Sequence, residues 1–287
     1  MGSKTFTKPP LTLEKQVELL QQRGMQISDW KLAERSLLNY NYYRFCGYAL
    51  HFEIFDNHQR THQYRPGTTF EDVLRLYDFD TRLRALLFTY IEPIEVAFRS
   101  IICYEMSMLT GKPHWYLEKR MYRTGYDLSE MQKKCEAECT RSNEIFIRSY
   151  NEKYSSPGLP PAWMMSEILG FGFWSRVYKN LADTKMKKSV AQHFNIPPHY
   201  LESWLHSLSV LRNLCAHHCK IWNRAFDVKP TLPNSMKLVL PNNTKLSAQI
   251  LILEHLLQPV DKEKAFQQDW NNLLKEYHSV PRSEMGL

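Results

Sequence analysis

Apolar residues recur at helical spacing along most of the chain, and no convincing run of strict alternation marks a strand. Thr12 is placed to cap a helix running to Arg23, with Gly24 placed to end it. A second helix from about Asp29 carries Trp30, Leu32, Ala33, Leu37 and Leu38, then gives way in the tyrosine-rich "NYNYYRFCGY". Residues 56–66, polar and rich in histidine, read as a loop. Thr68-Thr69-Phe70-Glu71 has the form of a capping box opening a long helix. Its apolar stripe runs from Val73 through Leu83, Leu87, Ile91 and Ile94 to Ile102, with Pro93 kinking rather than ending it and Gly111 as the stop.

Further helices are predicted over about 129–150, 161–181, 184–193, 198–222, 244–258 and 262–277, with 155–161 ("SSPGLPP") as the clearest linker. The pattern predicts an all-α protein, with a small helical N-terminal subdomain over 1–66 and a helical domain over 67–287.

Composition narrows the class. A chain of 287 residues, 43% hydrophobic and 23% charged, can bury a sizeable core. Its most apolar stretch, "ALLFTYIEPIEVAF", holds two glutamates and a proline, so no membrane span is expected. The N-terminus has no apolar signal-peptide region, which points to the cytoplasm. Cys46, Cys103, Cys135, Cys139, Cys215 and Cys219 are then expected as free thiols. A net charge of +7 suits a polyanionic partner, though many basic proteins have none.

The candidate chemistry lies in "LRNLCAHHCKIWNR", 211–224. On a helical wheel, Trp204, Leu208, Leu211, Leu214, Cys215 and Trp222 share an apolar face, which also takes in His218 as a core or interhelix residue. His206, Ser209, Asn213, His217, Lys220 and Arg224 form a polar stripe with Arg212 at its edge. The stripe is either a solvated face or a site. It lacks the carboxylates that normally alternate with lysine and arginine on solvent-facing helices, so it suits an anion such as phosphate. Cys215, His218 and Cys219, or Cys135 with Cys139, offer a rival metal reading. Cysteines four apart within helices are more often buried packing than ligands, and no metal or other cofactor is expected.

"RNLCAH" resembles the R-N-x3-H form of the HEPN superfamily motif. The likeness extends to Abi-like (AbiD/AbiF-type) abortive-infection proteins in four ordered blocks: "YNYYRFCGYAL", the stretch from Thr68 to Ser100 with "LYDFDTRLR" and "IEPIEVAFRS", "PAWMMSEILGFGFWSRVYKNL", and "SWLHSLSVLRNLCAHHCKIWNR". The resemblance implies a HEPN-like helical bundle and a metal-independent endoribonuclease of phage defence, in which a ribose 2′-hydroxyl attacks the adjacent phosphodiester. His217 would then serve as general acid or base, Arg212 would stabilise charge on the phosphorus, and Asn213 would orient either. One histidine per motif implies a homodimer with a composite site, and RNA as substrate.

The same resemblance gives Asn223 and Arg224 an orienting or RNA-backbone role. Glu95 and Arg99 are either a plain i, i+4 ion pair or supports that steer the catalytic residues, and Arg82 with Asp78 shares that ambiguity. His206 and Lys220 complete the set of supporting or RNA-binding residues. Basic clusters at Lys119, Arg120, Arg123, Lys133 and Lys134 and at Lys185, Lys187 and Lys188 are either solvated or phosphate contacts, and Tyr40, Tyr42 and Tyr43 either pack or stack on bases. A structured non-coding RNA is a plausible controlling partner. The alternative is a non-catalytic RNA-binding scaffold or a toxin–antitoxin component.

Overall fold

The structure, a computed structural model, describes residues 5, 7–240, 242–261 and 265–287. Among these, thirteen α-helices are accompanied by one two-stranded sheet, so the protein is predominantly helical as expected. No helix among the described residues is long and apolar enough to cross a membrane. The chain forms two compact units, one of residues 1–82 with 276–280 and the other of 83–275 with 281–287. The division therefore falls inside a long helix rather than at 66/67.

In the first unit, α1 (Leu13–Gln22) starts at Thr12, whose hydroxyl accepts the Lys15 N–H, and Gly24 follows its end with φ +90°. Asp29 caps α2 (Trp30–Tyr40) by accepting from the Leu32 N–H. The tyrosine-rich stretch is not a breakdown but a fresh start. Asn41, at φ 70°, interrupts the chain and its side chain caps α3 (Tyr42–Ala49). Tyr40 packs against Tyr77 with the rings tilted and their centroids 4.6 Å apart, the Tyr42 hydroxyl accepts from Arg23, and Tyr43 is exposed.

The expected loop at 56–66 is instead largely a hairpin, β1 (Glu53–Asp56) paired antiparallel with β2 (Gln59–Tyr64). Asn57 and His58 both take positive φ, the requirement of a tight two-residue turn whose twist matches the strands. Arg60 and His62 both pair with the buried Glu53. Nearly all of the hairpin's side chains are exposed, so burial imposes no alternation on the sequence.

Helix α4 (Phe70–Thr110) runs through Pro93 and stops before Gly111 at φ +65°. Its capping box is shifted by one residue from the expected pair. The Thr69 hydroxyl accepts the Asp72 N–H at 3.0 Å, and the Asp72 carboxylate accepts the Thr69 N–H at 2.9 Å. Glu71 accepts instead from the Ser28 hydroxyl.

In the second unit, the helix expected at 129–150 is two, α5 (Leu128–Arg141) and α6 (Ile145–Lys153). The next is likewise two, α7 (Ala162–Ile168) and α8 (Phe171–Asn180), separated at Leu169 and Gly170. Then come α9 (Thr184–Ala191), α10 (Pro198–Ala216), an unforeseen α11 (Asn234–Val239), α12 (Leu246–Leu257) and α13 (Phe266–Glu276). Residues 262–264, where the last helix was expected to begin, lie outside the described residues. Helix α10 packs on α8, α9 and α12. Fully buried Trp115, Trp174, Trp204, Trp222, Phe98 and Phe194 fill this core.

Candidate functional site

The C-terminus of α10 sets the site. The helix ends at Ala216, not at Trp222, because His217 is its C-cap and His218 turns into the left-handed region at φ 55°. The Cys219 N–H bonds back to Leu214 O at 2.9 Å and the His218 N–H to Cys215 O at 3.1 Å, the paired bonds of a Schellman ending. Glycine normally marks such an ending, so this one gave no sequence signal. Two corrections follow. His218 is exposed rather than part of the core, and the wheel that aligned Lys220 and Arg224 with His217 does not apply beyond the turn. Arg224 instead folds back, its guanidinium donating to Lys220 O at 3.2 Å, and Trp222 is buried.

Arg212 sits one turn before that end, half-buried and strongly held. Its Nε lies 3.2 Å from Glu95 Oε2, an ion pair without hydrogen-bond alignment, and its guanidinium lies 5.3 Å over the Phe88 ring. Glu95 is a buried carboxylate, 7% exposed, with two further partners. Arg99 Nη1 is 3.8 Å away, and the Phe171 N–H at the first turn of α8 donates to Oε1 at 3.2 Å. A carboxylate taken out of water needs such partners, and the N-terminal end of a helix favours negative charge. The i, i+4 pair of Glu95 and Arg99 exists, but Glu95 chiefly links α4, α8 and α10. Asn213 is exposed beside Arg212, its Oδ1 3.5 Å from Arg212 Nη1.

A cleft of about 480 Å³ opens alongside, lined by Lys134, Arg176, Lys179, His206, Arg212 and Asn213 among others. Burial lowers the proton affinity of His206 below the usual imidazole range, and the nearby Lys179 and Arg176 lower it further. His217 is exposed, does not line this cleft, and makes no side-chain hydrogen bond or ion pair among the described residues. The structure thus brings together Arg212, Asn213, His206, Glu95 and Arg99, and leaves His217 at the adjoining helix end.

Arg82 is engaged elsewhere. In the first unit it pairs with Glu276 at 2.9 Å and with Asp78 at 3.5 Å, and lies over the Tyr277 ring. Of the basic clusters, Arg120 is paired with Glu118 and Lys187 with Glu202, while Arg123 and Lys134 make no ion pair among the described residues. Sequence reasoning missed Arg176 and Lys179. Their signal was available in "FGFWSRVYKNL", two cations three residues apart with no carboxylate between them.

Burial pushes the Cys135 thiol up to about 12 and that of Cys139 to about 11, so both stay protonated at neutral pH. Among the described residues, no cluster of three histidine, cysteine, aspartate or glutamate side chains could hold a metal ion.

Residues 35–223 match the family model described as "Abi-like protein". No curated protein and no solved structure matches the chain. The matched span takes in Glu95, Arg99, the cations of α8 and the whole of α10 with its terminal turn. With well over half its length under that match, the chain belongs to the Abi-like protein family.

Proposed function

We propose that this chain is a metal-independent endoribonuclease of the HEPN type, acting in bacterial anti-phage defence. Membership of the Abi-like family suggests a part in abortive infection. The nuclease reading rests chiefly on one observation. Arg212 is fixed from behind by the buried Glu95 yet opens onto a cleft rich in cations, as a group that must meet a phosphate would.

In the proposed reaction RNA supplies its own nucleophile. The ribose 2′-oxygen bonds to the adjacent phosphorus and the bond from phosphorus to the 5′-oxygen breaks. A base takes the 2′-hydroxyl proton and an acid gives one to the departing 5′-oxygen, leaving a 2′,3′-cyclic phosphate and a 5′-hydroxyl. Imidazole suits either proton step near neutral pH, and His217 is exposed with its ring uncommitted. Arg212 would stabilise the charge gathering on the non-bridging oxygens, and Asn213 would orient the phosphate. The reaction needs an acid and a base, so the second histidine would come from another copy of the chain in a homodimer.

The test is cleavage of single-stranded RNA in EDTA by wild type, His217→Ala and Arg212→Ala. Wild type should leave cyclic-phosphate ends, and each variant should lose roughly 100-fold or more in rate. Unaltered cutting by His217→Ala would sink the assignment. A second reading, an RNA-binding scaffold without catalysis, draws support from the position of His217 off the cleft. It predicts RNA binding without cutting, unchanged by that substitution. A structured non-coding RNA that controls the protein would co-purify with it.

A further inference from the structure

The cleft beside Arg212 does not end at α8. A second, of about 360 Å³, adjoins it and shares Lys134, Phe173 and Arg176 as lining. The two form a continuous trough along α8, from Arg212 at one end to Arg123 at the other.

Its lining gathers unpaired cations. Arg123, Lys134, Arg176 and Lys179 are exposed along it, and none makes an ion pair among the described residues. Some exposed cations elsewhere are neutralised, as in Arg120 with Glu118, Lys112 with Glu118 and Arg141 with Glu138, while others such as Lys185 and Lys188 make no such pair among the described residues but lie outside both clefts. Arg176 and Lys179 are three apart on one helix, a like-charge spacing that is unfavourable without a counterion. The end of α8 accounts for Lys179 alone, through the helix dipole. The acids along the trough do not cancel the cations: Glu138 is paired with Arg141, leaving Asp127, which caps α5, and Glu130 against four unpaired cations. The depressed proton affinity of His206 reports the same positive field, after burial, through Lys179 and Arg176.

Aromatic faces accompany the cations. Phe173 lines both clefts with Lys134 Nζ 5.9 Å over its ring, and Tyr126 lies in the second, stacked on Tyr122 at 4.7 Å. A basic groove interleaved with aromatic rings is how single-stranded nucleic acid is held without sequence reading.

We propose that the trough along α8 carries the backbone of a single-stranded RNA to Arg212, with Arg176, Lys179 and Lys134 contacting successive phosphates and Tyr126 offering a face to a base. The proposal rests on the RNA reading above and specifies the path by which that RNA reaches the site. It also separates the basic residues, because Lys185 and Lys188 lie outside the trough.

The experiment is fluorescence anisotropy of the full chain with a labelled twelve-nucleotide 2′-O-methyl oligouridylate, which lacks the 2′-hydroxyl nucleophile and so is not cut, titrated across a salt series. The proteins are wild type, Arg176→Ala/Lys179→Ala, and Lys185→Ala/Lys188→Ala, which removes equal charge elsewhere. The trough variant should bind at least about tenfold more weakly, and its salt slope should fall by about 1.4, or roughly 0.7 for each lost phosphate contact. The control pair should stay near wild type. Equal weakening in both variants would mean attraction by overall charge and overturn the trough. Wild-type affinity and slope in the trough variant would overturn it while leaving the nuclease reading intact. Absence of binding by the wild type, or tighter binding of a DNA duplex of the same length, would overturn both.

Discussion

At the scale of single residues, Glu95 decides most. It meets a guanidinium from α10, another from its own helix and a backbone N–H from α8, so its charge holds Arg212 where the cleft opens. We expect Glu95→Gln to fold, because the amide oxygen can still accept from Phe171, but to release Arg212. Its effect on RNA cleavage should be a fall in kcat of roughly 10- to 100-fold with KM little changed, the size expected of a misplaced positioning group. Steady-state rates alongside thermal unfolding check this. A lowered Tm with an unaltered kcat would make Glu95 a packing residue only. The spacing of Glu95 and Arg99 was visible in the sequence, but it pointed to a partner four residues away. The closer partner, Arg212, is more than a hundred positions distant, and only folding brings it near.

At the scale of elements, helix beginnings were more legible than helix ends. Side chains cap N-termini, so Thr12 and Asp29 announce themselves by type. The start of α4 was read one residue early because Thr68 and Thr69 both satisfy the pattern, and backbone geometry chose Thr69 with Asp72. Thr69→Ala should therefore cost about 1 kcal/mol in urea unfolding, as lost N-caps do. Glu71→Gln, which the sequence pattern would rank with it, should stay within about 0.5 kcal/mol. Comparable losses in both would contradict the observed pairing. The end of α10 hid for the opposite reason. C-terminal endings are made by backbone carbonyls and a left-handed residue, and here histidine occupies the place where glycine would have signalled the stop.

For the whole molecule, the proposed chemistry needs a second copy, and α4 offers a surface for one. Every fourth residue from Phe88 to Met108 is exposed, and Phe88, Val96, Tyr104 and Met108 in that ridge are large and apolar. The ridge begins under the Arg212 guanidinium, at the edge of this site. We expect the wild type to be a dimer by light scattering at micromolar concentration. Val96→Glu/Tyr104→Glu should give a folded monomer that has lost nearly all RNA cleavage. A wild-type monomer that cuts RNA at full rate would refute the shared site.

Apolar periodicity alone determined the helical class, the long central helix and its passage through Pro93, because a buried stripe must repeat with the turn of the helix. It also placed Arg212, Asn213 and His206 on a polar face of α10, since those positions lie within regular helix. Tertiary structure decided the rest. The hairpin at Glu53–Tyr64 depends on two positive-φ residues whose types do not demand them, and its strands expose most of their side chains. Lys220 and Arg224 left the stripe because the helix stopped, and Arg176 and Lys179 joined the site because α8 packs against α10. Periodicity records which side of a helix is buried; which helix covers it, and what charge that neighbour brings, is fixed only when distant segments meet.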